Sequence, residues 1–226
     1  MRAFKFYPEN KAKFHFGNSK AKIIDSFSSD QLFSALFNCA VLLYGEDKAV
    51  KLLSHSLPTL SFSSLFWGLK FIDHNSGECK EIFFLPRPLA PFKQYESQNL
   101  LLHKKTKKIK YFSLEAFKLL QRSWQKDIRH FTFNLLDLKV IGEKFACTNS
   151  EIKSLGLKNA DIEDLKFFTI QSNPRLVVSR VNDQSENFYY QEALEIIYQQ
   201  VNGYEICPFM YFFYQGELNQ RLEAVI

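Results

Sequence analysis

Apolar and polar positions alternate at the start of the chain, and the period then changes. In RAFKFY (2–7), Phe4 and Phe6 fall on one side and Ala3, Lys5 and Tyr7 on the other, the spacing of a half-buried strand. KFHF (13–16) continues the pattern. Phe14 and Phe16 are expected to face a core, with Lys13 and His15 turned the opposite way. The two stretches predict a first strand, or two halves of a bent one. From Ser28 the period becomes helical. Leu32, Leu36, Cys39 or Ala40, and Leu43 form one stripe, and Phe33, Phe37, Val41 and Tyr44 form its neighbour, so this helix is expected to be covered on two sides. Ser28 followed by Gln31 is a capping-box pattern, Asp30 suits the positive end of the helix dipole, and Gly45 supplies the stop.

Residues 59–86 predict a hairpin, in which TLSFSSLFWGLKFI and CKEIFFLP flank a turn where Gly77 is free to take positive φ. PRPLAP (86–91) carries three prolines and excludes both helix and central strand. SLEAFKLLQRSWQKDIRHF predicts a helix capped by Ser113. LKVIGEKFACT reads as a strand pair or an irregular link, and 174–194 as an extended hairpin with a polar tip. PFMYFFYQGE (208–217) is a late strand, and LNQRLEAVI begins a helix. This order predicts an α+β fold: a ferredoxin-like antiparallel sheet with helices on one face, then a second, incomplete ferredoxin-like unit. The expected division is 1–135 and 136–226.

Composition narrows the function classes. With 46% hydrophobic and 16% aromatic residues in 226, the chain has enough apolar surface for a packed core and is not a disordered one. No apolar run is long enough to span a bilayer, and the first residues lack a signal-peptide core, so an intracellular, cytoplasmic protein with no membrane partner is expected. The four cysteines lie far apart with no C-x-x-C pair. Neither zinc nor a disulfide framework is expected, and the thiols are read as buried or half-buried. A formal charge of +5, mostly lysine, is compatible with a nucleic-acid partner without requiring one.

The junction between the strand end and the first helix is the first candidate site. Free backbone N–H groups and a helix dipole suit phosphate there. Gly17 would admit an RNA backbone, His15 would stack on a base or donate to a phosphate, and Asn18 and Ser29 would bond ribose or phosphate. The competing reading is purely structural: Ser28 caps, Asp30 complements the dipole, and His15 is a strand residue. Arg87, held between Pro86 and Pro88, offers a restrained guanidinium matched to phosphate, or is a surface arginine in a rigid loop. Lys104, Lys105, Lys107, Lys108 and Lys110 form the densest basic run. If helical it spreads around the surface; if extended, Lys104, Lys108 and Lys110 share one side; a solvated charge run is the competing reading. Arg175, Arg180, Phe188, Tyr189 and Tyr190 combine charge with rings near a hairpin. Alternation puts Phe188 and Tyr190 on one face and Tyr189 on the other, as base-stacking platforms or as sheet core. No catalytic triad, metal-ligand spacing, Walker loop or dinucleotide fingerprint is present, so no cofactor is expected. His15 and His130 are acid–base candidates by residue type only.

Four motifs in order, FHFG, SSDQLFSAL, FFLPRPL and RVNDQSENFYYQEAL, resemble the RAMP (repeat-associated mysterious protein) superfamily of CRISPR systems. More narrowly they resemble the fourth subunit of type III-A (Csm) effector complexes. The resemblance implies two packed ferredoxin-like folds and binding of the repeat-derived 5′ handle of the guide RNA. It implies contacts with the large polymerase-like signalling subunit and the first backbone RAMP subunit, with target RNA nearby, and no nuclease activity of its own. It suggests a thumb-like hairpin for 174–194. Two departures stand out. The family's helix entrance reads His-Ser-Asp, whereas Ser28 stands where that histidine would be. The family's glycine-rich C-terminal loop has no counterpart among the eight glycines, so a shortened chain or a split subunit is expected. The expected function is a non-catalytic RNA-binding effector subunit. The alternatives are a RAMP endoribonuclease that processes precursor guide RNA and an assembly scaffold that touches RNA little.

Overall fold

The computed structural model describes residues 2–16, 26–56, 61–89, 92, 100–126, 133–178, 185–216 and 220–226. Its elements are β1 (Arg2–Phe6), β2 (Lys13–Phe14), α1 (Ser29–Tyr44), α2 (Glu46–Ser56), β3 (Ser61–Phe62), β4 (Phe66–Asp73) and β5 (Cys79–Pro86). There follow α3 (Leu100–Lys108), β6 (Tyr111–Ser113), α4 (Leu114–Lys126), β7 (Lys139–Ile141), β8 (Phe145–Cys147), α5 (Asn149–Leu155) and α6 (Asn159–Ile162). The last are β9 (Phe168–Val178), β10 (Ser185–Ile196), β11 (Gln199–Val201), β12 (Tyr204–Gln215) and α7 (Gln220–Glu223).

The large sheet runs β1-β12-β4-β5-β6-β8-β7, with β3 and β11 also pairing with β12. Among the described residues the β6–β8 pair is parallel and the other pairs of this sheet are antiparallel. The central strand, β12, lies between β1 and β4, with Met210 opposite both Phe6 and Trp67. A smaller sheet has the order β2-β10-β9.

On one face, Phe4, Phe212 and Tyr214 meet Leu32, Leu36 and Ala40 of α1. Further along the same face, Trp67, Leu69, Phe71, Phe84 and Phe145 meet Leu194 and Ile196 of the small sheet and Ile152 and Leu155 of α5. On the opposite face α4 lays Ala116 and Leu120 on Phe112 and Ala146. Beside it lies an aromatic layer in which the fully buried Tyr211 donates its hydroxyl to the Phe84 carbonyl at 2.9 Å.

Several expectations hold at the residue level. Phe4 and Phe6 face the core, the β4–β5 hairpin turns through Gly77 at φ +72°, and the Ser113 hydroxyl accepts from the Ala116 N–H at the start of α4. The link around Ile141 is a strand pair, β7 with β8.

Others need correction. β1 and β2 are not halves of one strand: β1 joins the large sheet and β2 the small one, because the chain turns between them at Lys11, whose φ is +67°. Both stripes of α1 are covered except at one end: Leu32, Leu36 and Ala40 are buried and Phe33, Phe37, Val41 and Tyr44 pack half-buried on the same core, whereas Leu43 is 57% exposed. Helices lie on both faces of the sheet, not one, because α4 needs the apolar Phe112–Ala146 side that α1 does not reach. The ferredoxin-like expectation is met as an α+β fold with a mostly antiparallel sheet. Its strand order is not that of a simple βαββαβ unit, because β12 separates β1 from β4. That strand, from the second half of the chain, pairs with β1 and β4 of the first half.

Candidate nucleic-acid interface

The entrance of α1 is built by its own side chains. Ser28 is extended, its hydroxyl accepts from the Gln31 N–H at 3.3 Å, and Gln31 Oε1 accepts from the Ser28 N–H at 2.9 Å. The capping box is therefore complete, and Ser28 is committed to the cap. Ser29 is the first helical residue, and Asp30 is exposed in the first turn. A cavity of about 450 Å³ opens beside this entrance, lined by Ser26, Ser28, Gln31, Ser64, Trp67 and Tyr111 among others. Gly17, Asn18, Arg180 and His130 lie outside the described residues.

His15 is exposed on the strand edge that pairs with β10, and its Nδ1–H donates to the Glu192 carbonyl at 2.8 Å. That bond fixes the ring against the root of the β9–β10 hairpin and leaves Nε2 as its other polar atom. The geometry joins His15 to the hairpin, a link that spacing along the chain does not reveal.

Arg87 has a different setting from the one its prolines suggest. Its Nη1 donates to the Thr106 carbonyl at 2.8 Å, near the C-terminal end of α3, and its guanidinium lies 4.5 Å from the centroid of Phe92. Burial pushes its pKa below the usual arginine value. This is an arginine that caps a helix end.

The lysine run is helical up to Lys108, so it spreads. Lys105 Nζ pairs with Glu163, just after α6, at 2.6 Å and Lys108 Nζ with Glu143, in the β7–β8 turn, at 3.1 Å, which holds α3 against both. Lys104, Lys107 and Lys110 are exposed.

On the hairpin, Arg175 stands opposite Tyr189 and donates through Nε to Gln191 Oε1 at 3.2 Å. Phe188 and Tyr190 lie edge to face at 5.2 Å on the other side. Phe188 and Tyr190 are each 61% exposed and Tyr189 is 44% exposed, so the sheet-core reading fails for all three.

A second cavity, of about 540 Å³, lies at the hairpin root and is lined by Lys110, Lys144, Lys166, Phe168, Ile170 and Leu194 among others. Nothing along the chain singles out Lys144 and Lys166, because each is an isolated lysine in an unremarkable stretch. Among the described residues, no group of His, Cys, Asp and Glu could hold a metal ion, and no helix is long and apolar enough to cross a membrane. The thiols divide: Cys39 and Cys79 are exposed, against expectation, while Cys147 and Cys207 are buried. Burial pushes the Cys207 thiol up to about 12, far from a reactive thiolate.

The site thus sits on an α+β chain with a mostly antiparallel sheet, a capped helix entrance after the first strands and a long exposed hairpin. Comparisons with known proteins narrow the picture. The chain is 26% identical over 194 residues to "CRISPR system Cms protein Csm4" of Methanocaldococcus jannaschii, which covers 81% of this chain and 48% of that protein. It thus spans about half the length of that relative. A chain of the crystal structure of the Csm3-Csm4 subcomplex in the type III-A CRISPR-Cas interference complex shares the fold. Its TM-score is 0.58 at 23% identity, over 100% of this chain and 63% of that one. A chain of the Csm1-Csm4 cassette in complex with cA4 gives a TM-score of 0.47 at 19% identity, over 99% and 63%. No protein-family model matches the sequence. The resemblance read from the motifs therefore holds: the chain is similar to Csm4, the RAMP protein of type III-A CRISPR systems.

Proposed function

We propose that this chain is a non-catalytic RNA-binding subunit of a type III-A CRISPR effector, which holds the repeat-derived 5′ handle of the guide RNA. In the cytoplasm it would join the large polymerase-like subunit to the backbone RAMP subunits, with target RNA passing nearby. The similarity to Csm4 over 81% of the chain carries the assignment. The exposed Arg175 and Tyr189, beside a strand edge that bears His15, support RNA as the ligand. On this reading β1, α1 and the β4–β5 hairpin are part of a ferredoxin-like unit that meets a second unit near residue 135. β12 from the second unit completes the sheet of the first. On this reading the chain contributes grip and no bond-breaking chemistry, and the His15 ring, held by the Glu192 carbonyl, presents itself to RNA as a contact.

The test incubates the purified chain with a fluorescent repeat-derived RNA, with and without chelator. Binding without cleavage, weakening as salt rises, is expected. Failure to bind RNA, alone and with the other effector subunits, overturns the proposal. Metal-independent cleavage lost in His15→Ala would replace it with an endoribonuclease.

A further inference from the structure

The β9–β10 hairpin has two unlike faces. Register puts Phe168, Ile170, Ser172, Pro174 and Leu176 of β9 on the same side as Phe188, Tyr190, Glu192, Leu194 and Ile196 of β10. At the root this side is core: Leu194 and Ile196 are buried and Phe168 packs on Trp67 at 4.5 Å between centroids. Farther out the same side becomes an exposed apolar stripe, with Ile170 at 57% and Leu176 at 55% exposure leading to the Phe188–Tyr190 pair. The other side carries Arg175 and Tyr189.

The 540 Å³ cavity opens where the core ends and the stripe begins. Phe168, Ile170 and Leu194 floor it, and Lys110, Lys144 and Lys166 stand on its walls. Lys144 Nζ lies 5.6 Å from the centroid of Phe168, which puts a cation and an aromatic plane side by side. The carboxylate that lines the cavity, Glu143, is paired with Lys108, and Glu192 lies one step farther along the stripe. The local balance is cationic.

Resting on the RNA-binding reading above, we infer that this root cavity takes one nucleotide of single-stranded RNA. Its phosphate lies among Lys110, Lys144 and Lys166, its base lies on Phe168 and Ile170, and the next bases follow the stripe toward Tyr190. A flat, partly apolar base next to a charged phosphate matches a floor of rings and aliphatics under lysine walls, and stacking on such a floor is indifferent to base identity. From the cavity this strand then runs along the stripe side of the hairpin.

The test measures binding of a fluorescent single-stranded RNA across a salt series. The double variant Lys144→Glu/Lys166→Glu is expected to bind roughly tenfold more weakly, with a salt slope reduced by about 0.7 for each phosphate no longer neutralised. Lys48→Glu, on α2, is expected to match the unaltered chain. Thermal melts check that the double variant folds. Independently of any substitution, 4-thiouridine RNA irradiated with the unaltered chain is expected to cross-link within 166–170. Unchanged affinity and slope, or cross-links confined to the Tyr189 side, would overturn the inference while leaving RNA binding intact. An unchanged slope with impaired assembly onto a protein subunit would reassign the stripe to protein docking. No RNA binding by the unaltered chain would remove this inference and the function proposed above together.

Discussion

The guanidinium of Arg87 lies over the ring of Phe92, 4.5 Å from its centroid, while its Nη1 donates to the Thr106 carbonyl at 2.8 Å. Thr106 is within the last turn of α3, where carbonyls lack helical partners and carry the negative end of the dipole. Arg87→Ala removes the donor and the stacked cation together. A loss of about 1–2 kcal/mol in urea denaturation is expected. The salt slope of RNA binding should stay unchanged, whereas a slope reduced with stability intact would make Arg87 a phosphate-binding residue after all.

Gly68 is a packing requirement of the aromatic layer. A Cβ built there would stand 2.1 Å from the Phe209 ring, and Phe209 is fully buried between neighbouring rings. Gly68→Ala should cost roughly 1–3 kcal/mol through forced displacement of that ring. Trimming the obstacle in Gly68→Ala/Phe209→Leu should recover part of the loss relative to Phe209→Leu alone. An additive pair of losses would mean that the ring does not bear on Gly68.

Glu81 gives the fold an acid limb. Burial disfavours its charge, but hydrogen bonds from Lys5 Nζ at 2.5 Å and the Tyr7 hydroxyl at 2.6 Å outweigh that penalty, and its pKa falls below the ordinary 4.5. A carboxyl with a depressed folded-state pKa contributes stability that is present above its unfolded value and lost as pH falls through the folded one. Glu81→Gln should therefore lower the melting temperature at pH 7, and the difference should shrink as pH falls below the ordinary carboxylate range. Lys5 is more than a third exposed, so the effect should be modest and shrink in salt. A gap that persists unchanged at low pH would refute the assignment.

Local chemistry was legible and long-range pairing was not. The Ser28–Gln31 box, the side of β1 that Phe4 and Phe6 share, the Gly77 turn and the long hairpin all follow from residues within a few positions of one another. Nothing local announces that β12 lies between β1 and β4, because its neighbours are set by burial on two faces and not by spacing. Asn202-Gly203 is a further local signal: both residues take positive φ at the β11–β12 turn, the conformation an Asn-Gly pair favours. The lysine run misled for an electrostatic reason. Its density marks a basic segment, but Glu143 and Glu163, which answer two of its members, lie more than thirty residues away.

That pairing divides the run into two sets with opposite expected behaviour. Lys105 and Lys108 face carboxylates, and the Glu163 hydrogen bond raises the Lys105 pKa above its usual value. Lys104 and Lys107 are exposed on the same helix. If RNA lies along this helix, Lys104→Ala/Lys107→Ala should reduce the salt slope of binding by about 0.7 for each phosphate that then goes unneutralised, and leave the melting temperature unmoved. Lys105→Ala/Lys108→Ala should do the reverse. It should loosen α3, seen as faster amide exchange over 100–108, with little change in slope, because each cation already has its counter-charge. Equal slopes in both double variants would show that the helix acts as one undivided basic surface, and that the ion pairs to Glu143 and Glu163 open whenever RNA approaches.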